Sequence, residues 1–168
     1  MQHWSHLTSL FNLVRPMTVQ LIDRIADDQF DSVQGGGNSP KWILGHLAVG
    51  MDFGLNILGR PTEHLDAMMP TYGPGSPGGV IGDDGYTRKS LRQHFQIAGD
   101  QLAAAVIAID DKTQSKLNQP NTTPFLTDTL PTMGHLLAHV YTTHLAMHTG
   151  QLSEINRQLG RDPLLTFG

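Results

Sequence analysis

The stretch "HLAMHTGQLSEINRQLG", residues 144–160, places two histidines four positions apart in a run of apolar and helix-forming residues. An α-helix advances about 100° per residue, so residues i and i+4 lie on the same face. His144 and His148 therefore share a face, and they share it with the apolar side chains of Leu152, Ile155 and Leu159. The stretch predicts an amphipathic helix whose two histidines point into the protein core.

Four segments of the chain show the three-four spacing of apolar residues that is typical of amphipathic helices. They span residues 7–25, 40–58, 87–109 and 131–160. The chain contains no internal repeat and no alternation of apolar and polar residues of the kind that predicts strands. Four helices of about 20 residues predict an all-α fold, a four-helix bundle. A chain of 168 residues is expected to form a single domain over residues 1–168.

Local signals mark where the second helix begins and ends. Ser39 is a predicted N-cap with Pro40 at the first helical position, and Gly59 is a predicted C-cap. Pro16 lies inside the first helix and is expected to kink or split it. Between the second and third helices, residues 60–86 predict a long loop, and loops longer than about 15 residues are usually either functional or disordered.

Helical phase separates the histidines of the last helix into two pairs. His135 and His139 lie on the side opposite His144 and His148, among more polar residues, and are expected to face solvent or an interface. In the second helix, His46 shares a face with apolar side chains and points inward. The remaining histidines are expected to be exposed: His3, His6, His64 and His94.

The three inward histidines, His46, His144 and His148, are candidate metal ligands. Two histidines at i and i+4 can chelate one ion, and a facing helix can supply the third nitrogen. Three neutral imidazoles suit Zn²⁺, Ni²⁺, Cu²⁺ or Fe²⁺, and three protein ligands leave a coordination position open, which is typical of a catalytic site. The alternative is three hydrogen-bonded core histidines without a metal. Gln151, at the edge of the same face, is either a hydrogen-bond partner of a ligand ring or a polar residue at the bundle end.

Composition narrows the function classes. The net charge is −4 and the isoelectric point is about 6.1, so we expect no binding to nucleic acid or to an anionic membrane surface. The chain contains no cysteine, which excludes disulfides, thiolate metal sites and a cysteine nucleophile. The N-terminal residues do not resemble a signal peptide, and no apolar run of about 18 residues predicts a membrane span. We therefore expect a cytoplasmic protein.

The second helix is apolar on two sides. Opposite His46 lie Leu44, Leu47 and Met51, and a helix that is apolar on both sides needs two packing partners. One partner is the bundle itself. The other is expected to be a second subunit, which predicts a homodimer.

Two stretches resemble the DinB/YfiT-like superfamily of four-helix metal-binding proteins. "NSPKWILGHLAVGMDF" (38–53) is similar to the family pattern W-x-x-G-H-L on helix 2, and residues 144–160 are similar to H-x-x-x-H-x-G-Q on helix 4. The loop "YGPGSPGG" (72–79) resembles a segment that many members carry between helices 2 and 3. The resemblance implies a metal triad of His46, His144 and His148, and homodimers are frequent among members.

The resemblance also implies an activity. Characterised relatives are metal-dependent transferases or isomerases that use a low-molecular-weight thiol, so we expect transfer of such a thiol to an electrophilic small molecule, of the detoxification type. A related hydrolase or isomerase activity stays open. Zn²⁺ or Ni²⁺ are the first candidates for the metal and Fe²⁺ a further one. Tyr141 is a candidate to reach the pocket, and Tyr72 or Asp66 of the long loop to touch substrate.

Two other functions remain open on the sequence. The chain is alternatively a non-catalytic metal- or ligand-binding module, which predicts bound metal with a closed coordination sphere. It is alternatively a structural bundle, which predicts no metal and a stability indifferent to chelators.

Overall fold

The computed structural model describes residues 3–116 and 126–165. Within these ranges the chain is helical and contains no strand, which confirms the predicted all-α class. The helices are α1 (His3–Asp23), α2 (Asp27–Phe30), α3 (Pro40–Ile57), α4 (Leu65–Tyr72), α5 (Arg88–Ile107), α6 (Asp111–Gln114), α7 (Met133–Ala138) and α8 (Leu145–Gln158), with a π-helical segment (His139–His144) joining α7 to α8. No described helix combines the length and hydropathy that crossing a membrane requires.

Four long helical units surround the core: α1, α3, α5 and the run from α7 through the π-helical segment to α8. Helix α3 packs against α5 and α8, and α1 packs against the same two helices from the other side. This closed arrangement is compatible with the predicted four-helix bundle. Its core contains the fully buried rings of Phe11, Phe95 and Tyr141.

Both apolar sides of α3 are covered within one chain. Leu44, Leu47 and Met51, which the sequence suggested for a subunit interface, are fully buried against the other helices of the same chain. The apolar residues on both sides of α3 are explained without a second subunit, because α3 is the central helix and contacts α4, α5 and α8 at once. The homodimer stays a prediction, without the support that α3 was expected to give it.

The start and end of α3 agree with the local signals. Ser39 caps the helix by accepting a hydrogen bond from the backbone N–H of Trp42 at 3.1 Å, and Pro40 is the first helical residue. The helix ends at Ile57, and Gly59 follows with a φ of +69°, the left-handed conformation that glycine adopts without strain.

Pro16 does not split α1, which runs unbroken from His3 to Asp23. A proline inside a helix removes one backbone hydrogen bond and strains the preceding turn. Here Phe11 before it and Leu21 after it are both buried in the same core. Tertiary packing therefore holds the two halves together, and the expectation of a break is wrong.

The stretch between α3 and α5 is ordered and contains helix α4, so the expectation of a loop without secondary structure is wrong. Buried side chains tie it to the start of α3. The indole nitrogen of Trp42 donates to the carbonyl of Thr71 at 3.2 Å and to Oγ of Ser76 at 2.9 Å. Further along, Lys41 forms a 2.8 Å ion pair with Asp84. These contacts hold the segment against the half of α3 that carries His46.

Candidate metal centre

Three histidines from two helical units converge in the bundle. His46 lies in α3, His144 ends the π-helical segment, and His148 lies in α8. Each offers one ring nitrogen, and these three nitrogens lie within 4.8 Å of one another. The Nε2 atoms of His46 and His144 are 2.9 Å apart. The structure thus brings together the three residues that helical phase and motif spacing selected.

Hydrogen bonds orient two of the three rings. Nδ1 of His46 donates to the backbone carbonyl of Tyr72 at 2.6 Å, and Nδ1 of His148 donates to Oε1 of Gln151 at 2.8 Å. A carbonyl oxygen only accepts, so the proton sits on Nδ1 and the lone pair of each ring is on Nε2. Gln151 therefore occupies the position expected of a residue that supports a ligand ring.

Packing around His46 adds a second constraint. Trp42 stacks on the His46 imidazole with 4.5 Å between ring centroids and an interplanar angle of 11°. One residue before His46, Gly45 lies against the buried Tyr72 ring so closely that a Cβ at this position would overlap it. The glycine of the W-x-x-G-H-L motif is therefore required by the close approach of α4, which carries the carbonyl that orients His46.

Burial keeps the three imidazoles neutral. It lowers the pKa of His46 to about 4, an effect that the Tyr72 carbonyl opposes and the neighbouring His148 reinforces. Burial, reinforced by the neighbouring His148, His46 and His139, lowers the pKa of His144 to about 2. Burial also lowers the pKa of His148, against the hydrogen bond to Gln151. At neutral pH all three rings are uncharged and carry the lone pair that metal coordination needs.

The donor set fits a divalent transition metal. Tetrahedral ligand nitrogens that lie 2.0–2.1 Å from Zn²⁺ are about 3.3 Å from one another, so the 2.9 Å between Nε2 of His46 and His144 needs only a small expansion. Nδ1 of His144 is buried without a hydrogen-bond partner in the described structure, so no hydrogen bond at this nitrogen orients the His144 ring, in contrast to His46 and His148. In the described part of the chain, no other group of three His, Asp or Glu residues meets the same distance criterion.

The triad lines one wall of a cavity of about 660 Å³. The other lining side chains are mostly apolar and come from α3, α4 and the last helical run, among them Val49, Phe53, Met69, Leu136, Val140 and Met147. Pro74 and Gly75 of the stretch after α4 also contribute. The long segment between α3 and α5 therefore forms part of the cavity wall, through Met69, Pro74 and Gly75.

His139 also lines this cavity, so the expectation that it faces away from the triad is wrong. The prediction assumed an uninterrupted α-helix, whereas the chain is π-helical from His139 to His144. A π-helix forms i→i+5 hydrogen bonds, which brings residues five positions apart toward one face. The rings of His139 and His144 lie 5.7 Å apart between centroids.

The hydrogen bonds of His139 leave one ring nitrogen as an acceptor. Its Nδ1 lies 2.7 Å from Oγ1 of Thr143, and that hydroxyl donates to the His139 backbone carbonyl at 3.4 Å. Since the hydroxyl proton is already used, Thr143 accepts from Nδ1–H and the lone pair is on Nε2. Burial lowers the pKa of His139, so the ring is neutral at neutral pH.

The two tyrosines suggested for the pocket do not line the cavity, and neither does Asp66. Tyr141 is fully buried, stacks on Phe11 with 4.2 Å between centroids, and donates to Thr8 Oγ1 at 3.4 Å. Tyr72 is fully buried and donates from its hydroxyl to Asp84 at 2.7 Å. Tyr72 acts on the site through its backbone carbonyl, which residue type alone does not reveal.

Of the remaining histidines, His6, His64 and His135 are exposed as expected. The side chain of His3 lies outside the described part of the structure. His94 is not exposed: its side chain is 11% accessible and its Nε2 lies 2.8 Å from Oδ2 of Asp52, which is buried in α3. This partner on α5 explains how the Asp52 carboxylate is buried in α3.

Comparison with known proteins gives one family. The family model of the DinB superfamily matches residues 10–152, most of the chain, and includes all three histidines of the triad. A search of curated protein sequences finds no match.

Proposed function

The chain belongs to the DinB superfamily, and from that premise we propose that it is a metal-dependent enzyme that transfers a low-molecular-weight thiol to an electrophilic small molecule. His46, His144 and His148 would hold the divalent ion, with Zn²⁺ or Ni²⁺ as first candidates and Fe²⁺ as a further one. The observation that carries the proposal is the convergence of three neutral imidazoles, two of them buried and that of His144 half-buried, on the wall of a cavity.

The donor set and the composition agree with this chemistry. A bound divalent cation would lower the pKa of a coordinated thiol, so that its thiolate form is available at neutral pH. The chain has no cysteine, so the reacting sulfur belongs to the substrate. Its S–H bond is broken and the proton passes to a protein base or to solvent. Sulfur forms a bond to the electrophilic carbon, and the bond from that carbon to its leaving group breaks, so that the leaving group, such as chloride, departs with the electron pair.

His139 is the protein base that this proposal uses. Outside the triad, it is the only titratable side chain among the described residues that line the cavity. Its Nε2 lone pair can accept a proton from a group bound beside His144, while Thr143 holds the other nitrogen. The hydroxyl of Tyr141, which the sequence suggested as a contributor, is engaged in the core.

The second candidate function is a non-catalytic metal- or ligand-binding module. The apolar character of the cavity favours it, because apart from His139 the described lining offers no side chain for proton transfer. The two functions share the triad and differ in turnover.

Metal content separates the proposals from a structural bundle. Protein purified without a histidine tag is expected to contain about one divalent ion per chain, and His148→Ala is expected to lose it. His135→Ala is the matched control, because His135 is exposed on the same helical run. Equal and negligible metal in wild type and His148→Ala would eliminate the metal site.

Turnover separates the enzyme from the module. Metal-loaded protein is assayed with a panel of small thiols against a chromogenic aryl chloride, and thioether formation is followed. Turnover that disappears with chelator and in His148→Ala supports the enzyme. Bound metal without turnover across the panel favours the module.

Two further features complete the proposal. We expect a homodimer from the family resemblance. Sedimentation velocity at micromolar concentration measures the mass in solution, and a monomer mass at all concentrations would contradict the homodimer.

We also expect a cytoplasmic location, which fractionation of the cells that make the protein would test.

A further inference from the structure

The cavity beside the triad is almost free of charged side chains. No Asp, Glu, Lys or Arg is among its described lining residues, and the titratable side chains among them are four histidines, His46, His139, His144 and His148. Leu126 adds a further apolar side chain to the described lining. The walls therefore offer no partner for a charged group.

The apolar walls are large and continuous. Trp42 lies flat against His46, Phe53 and Val49 extend the surface along α3, and Val140 faces them from the π-helical segment. An ionised group moved from water into such surroundings without a partner loses its hydration and gains nothing in return. Apolar groups gain from the same transfer, in proportion to the area removed from water.

We propose that this cavity binds a neutral, mainly apolar small molecule, such as an aromatic or alkyl body, with its reactive end at the triad. Its identification with the electrophile rests on the function proposed above; the selectivity for a neutral body follows from the lining alone. The cavity discriminates against anions because its described lining has no Lys or Arg. It discriminates against hydrophilic molecules because, outside the histidines, the one polar side-chain group of that lining is the indole N–H of Trp42, which already donates to Thr71 and Ser76.

Two fluorescent probes of the same skeleton test the selectivity. N-phenyl-1-naphthylamine is neutral, and 8-anilinonaphthalene-1-sulfonate adds one sulfonate to the same pair of aromatic groups. Both are titrated into the full-length chain after removal of metal by chelator, so that no bound cation attracts the sulfonate. We expect the neutral probe to bind at least tenfold more tightly. Equal affinities, tighter binding of the sulfonate, or no binding of the neutral probe would overturn the proposal.

A charge introduced at the cavity mouth identifies the binding site. Met147 lines the cavity and is 54% exposed, so Met147→Lys places an ammonium there without burying it. This variant is expected to strengthen sulfonate binding at least threefold. Ile107→Lys is the matched control, because Ile107 is 58% exposed at the end of α5 and does not line the cavity. An identical response of both variants would mean that the probes bind elsewhere and would refute the proposal.

The difference in affinity between the two probes does not depend on a bound metal ion. Absence of metal from the purified protein would defeat the proposed function and leave the probe selectivity intact. Metal-dependent turnover combined with a preference for the sulfonate would leave the function intact and defeat this inference.

Discussion

The backbone carbonyl of Tyr72 accepts a hydrogen bond from Nδ1 of His46 at 2.6 Å. This contact joins α4 to α3 and fixes which nitrogen of His46 faces His144. A helix that the sequence left as an unstructured loop therefore orients a candidate metal ligand. The contact depends on the space left by Gly45, one residue before His46.

Gly45→Ala is expected to weaken metal binding at least tenfold. The new Cβ overlaps the buried ring of Tyr72, and displacement of that ring moves the carbonyl away from His46. Overpacking of this kind also costs about 1–3 kcal/mol in the free energy of unfolding. Competition with a chromogenic chelator measures the affinity.

The control for this substitution is Gly150→Ala. Gly150 is also helical and lies two residues from His148, but a Cβ there meets no atom within 4 Å. It should keep the metal affinity and gain up to about 1 kcal/mol of stability from helix propensity. If the two variants bound metal with equal affinity, the Tyr72 carbonyl would have no role in orienting His46 for metal binding.

Gln151→Leu is expected to lower metal affinity by about 10–100-fold, the range for loss of a partner that orients a metal-binding histidine. The substitution removes the acceptor for Nδ1–H of His148. Gln151 is exposed, so the free energy of unfolding should change little. Gln151→Glu keeps an acceptor oxygen and should retain the affinity; an equal loss in both variants would show that the hydrogen bond is not the cause.

Metal-free protein is expected to lose stability as the pH falls from about 6.5 toward 4. The pKa of the triad histidines is lowered in the folded state and is ordinary, 6.5, in the unfolded chain. Between those values the unfolded state binds protons that the folded state does not, so the free energy of unfolding falls as the pH falls. Each ring contributes up to about 1.4 kcal/mol per pH unit.

Urea unfolding in the presence of chelator at pH 7.5, 6.5, 5.5 and 4.5 measures this slope. His144→Asn removes one of the three titrating rings and should flatten it. A variant slope equal to that of wild type would contradict the assignment of the acid sensitivity to the triad.

His139→Gln is expected to keep the metal and to lower kcat for thiol transfer by about 100-fold, the lower range for a general base. Glutamine offers no acceptor nitrogen of comparable basicity, and His139 is not one of the three triad residues. Metal content and steady-state kinetics are measured together. His135→Gln, an exposed position, should leave both unchanged, and an unaltered kcat in His139→Gln would exclude the base.

His94→Ala is expected to destabilise the fold by about 3–5 kcal/mol, because it leaves the buried carboxylate of Asp52 without its partner. Thermal or urea unfolding measures the loss. Adding Asp52→Asn should recover part of it by removing the unpaired charge. His6→Ala is the exposed control. Full stability of His94→Ala would mean that the contact between His94 and Asp52 contributes nothing.

The helical class and the triad followed from the sequence because they depend on local periodicity. The i, i+4 spacing of His144 and His148 keeps their rings together whichever way the helix is rotated. The inward face of His46 followed from the apolar residues around it in α3. Capping signals placed the beginning of α3 because Ser39 acts on its own backbone neighbours.

What the sequence could not supply was decided by contacts between distant segments. The orientation of His46 depends on the Tyr72 carbonyl, and every residue has a carbonyl, so no residue type indicates it. The position of His139 depends on a π-helical turn, which shifts the helical phase without a distinctive composition. The sequence by itself determined that three histidines face inward on two helices. Tertiary packing decided which nitrogens face one another, which fourth histidine joins them, and how apolar the cavity beside them is.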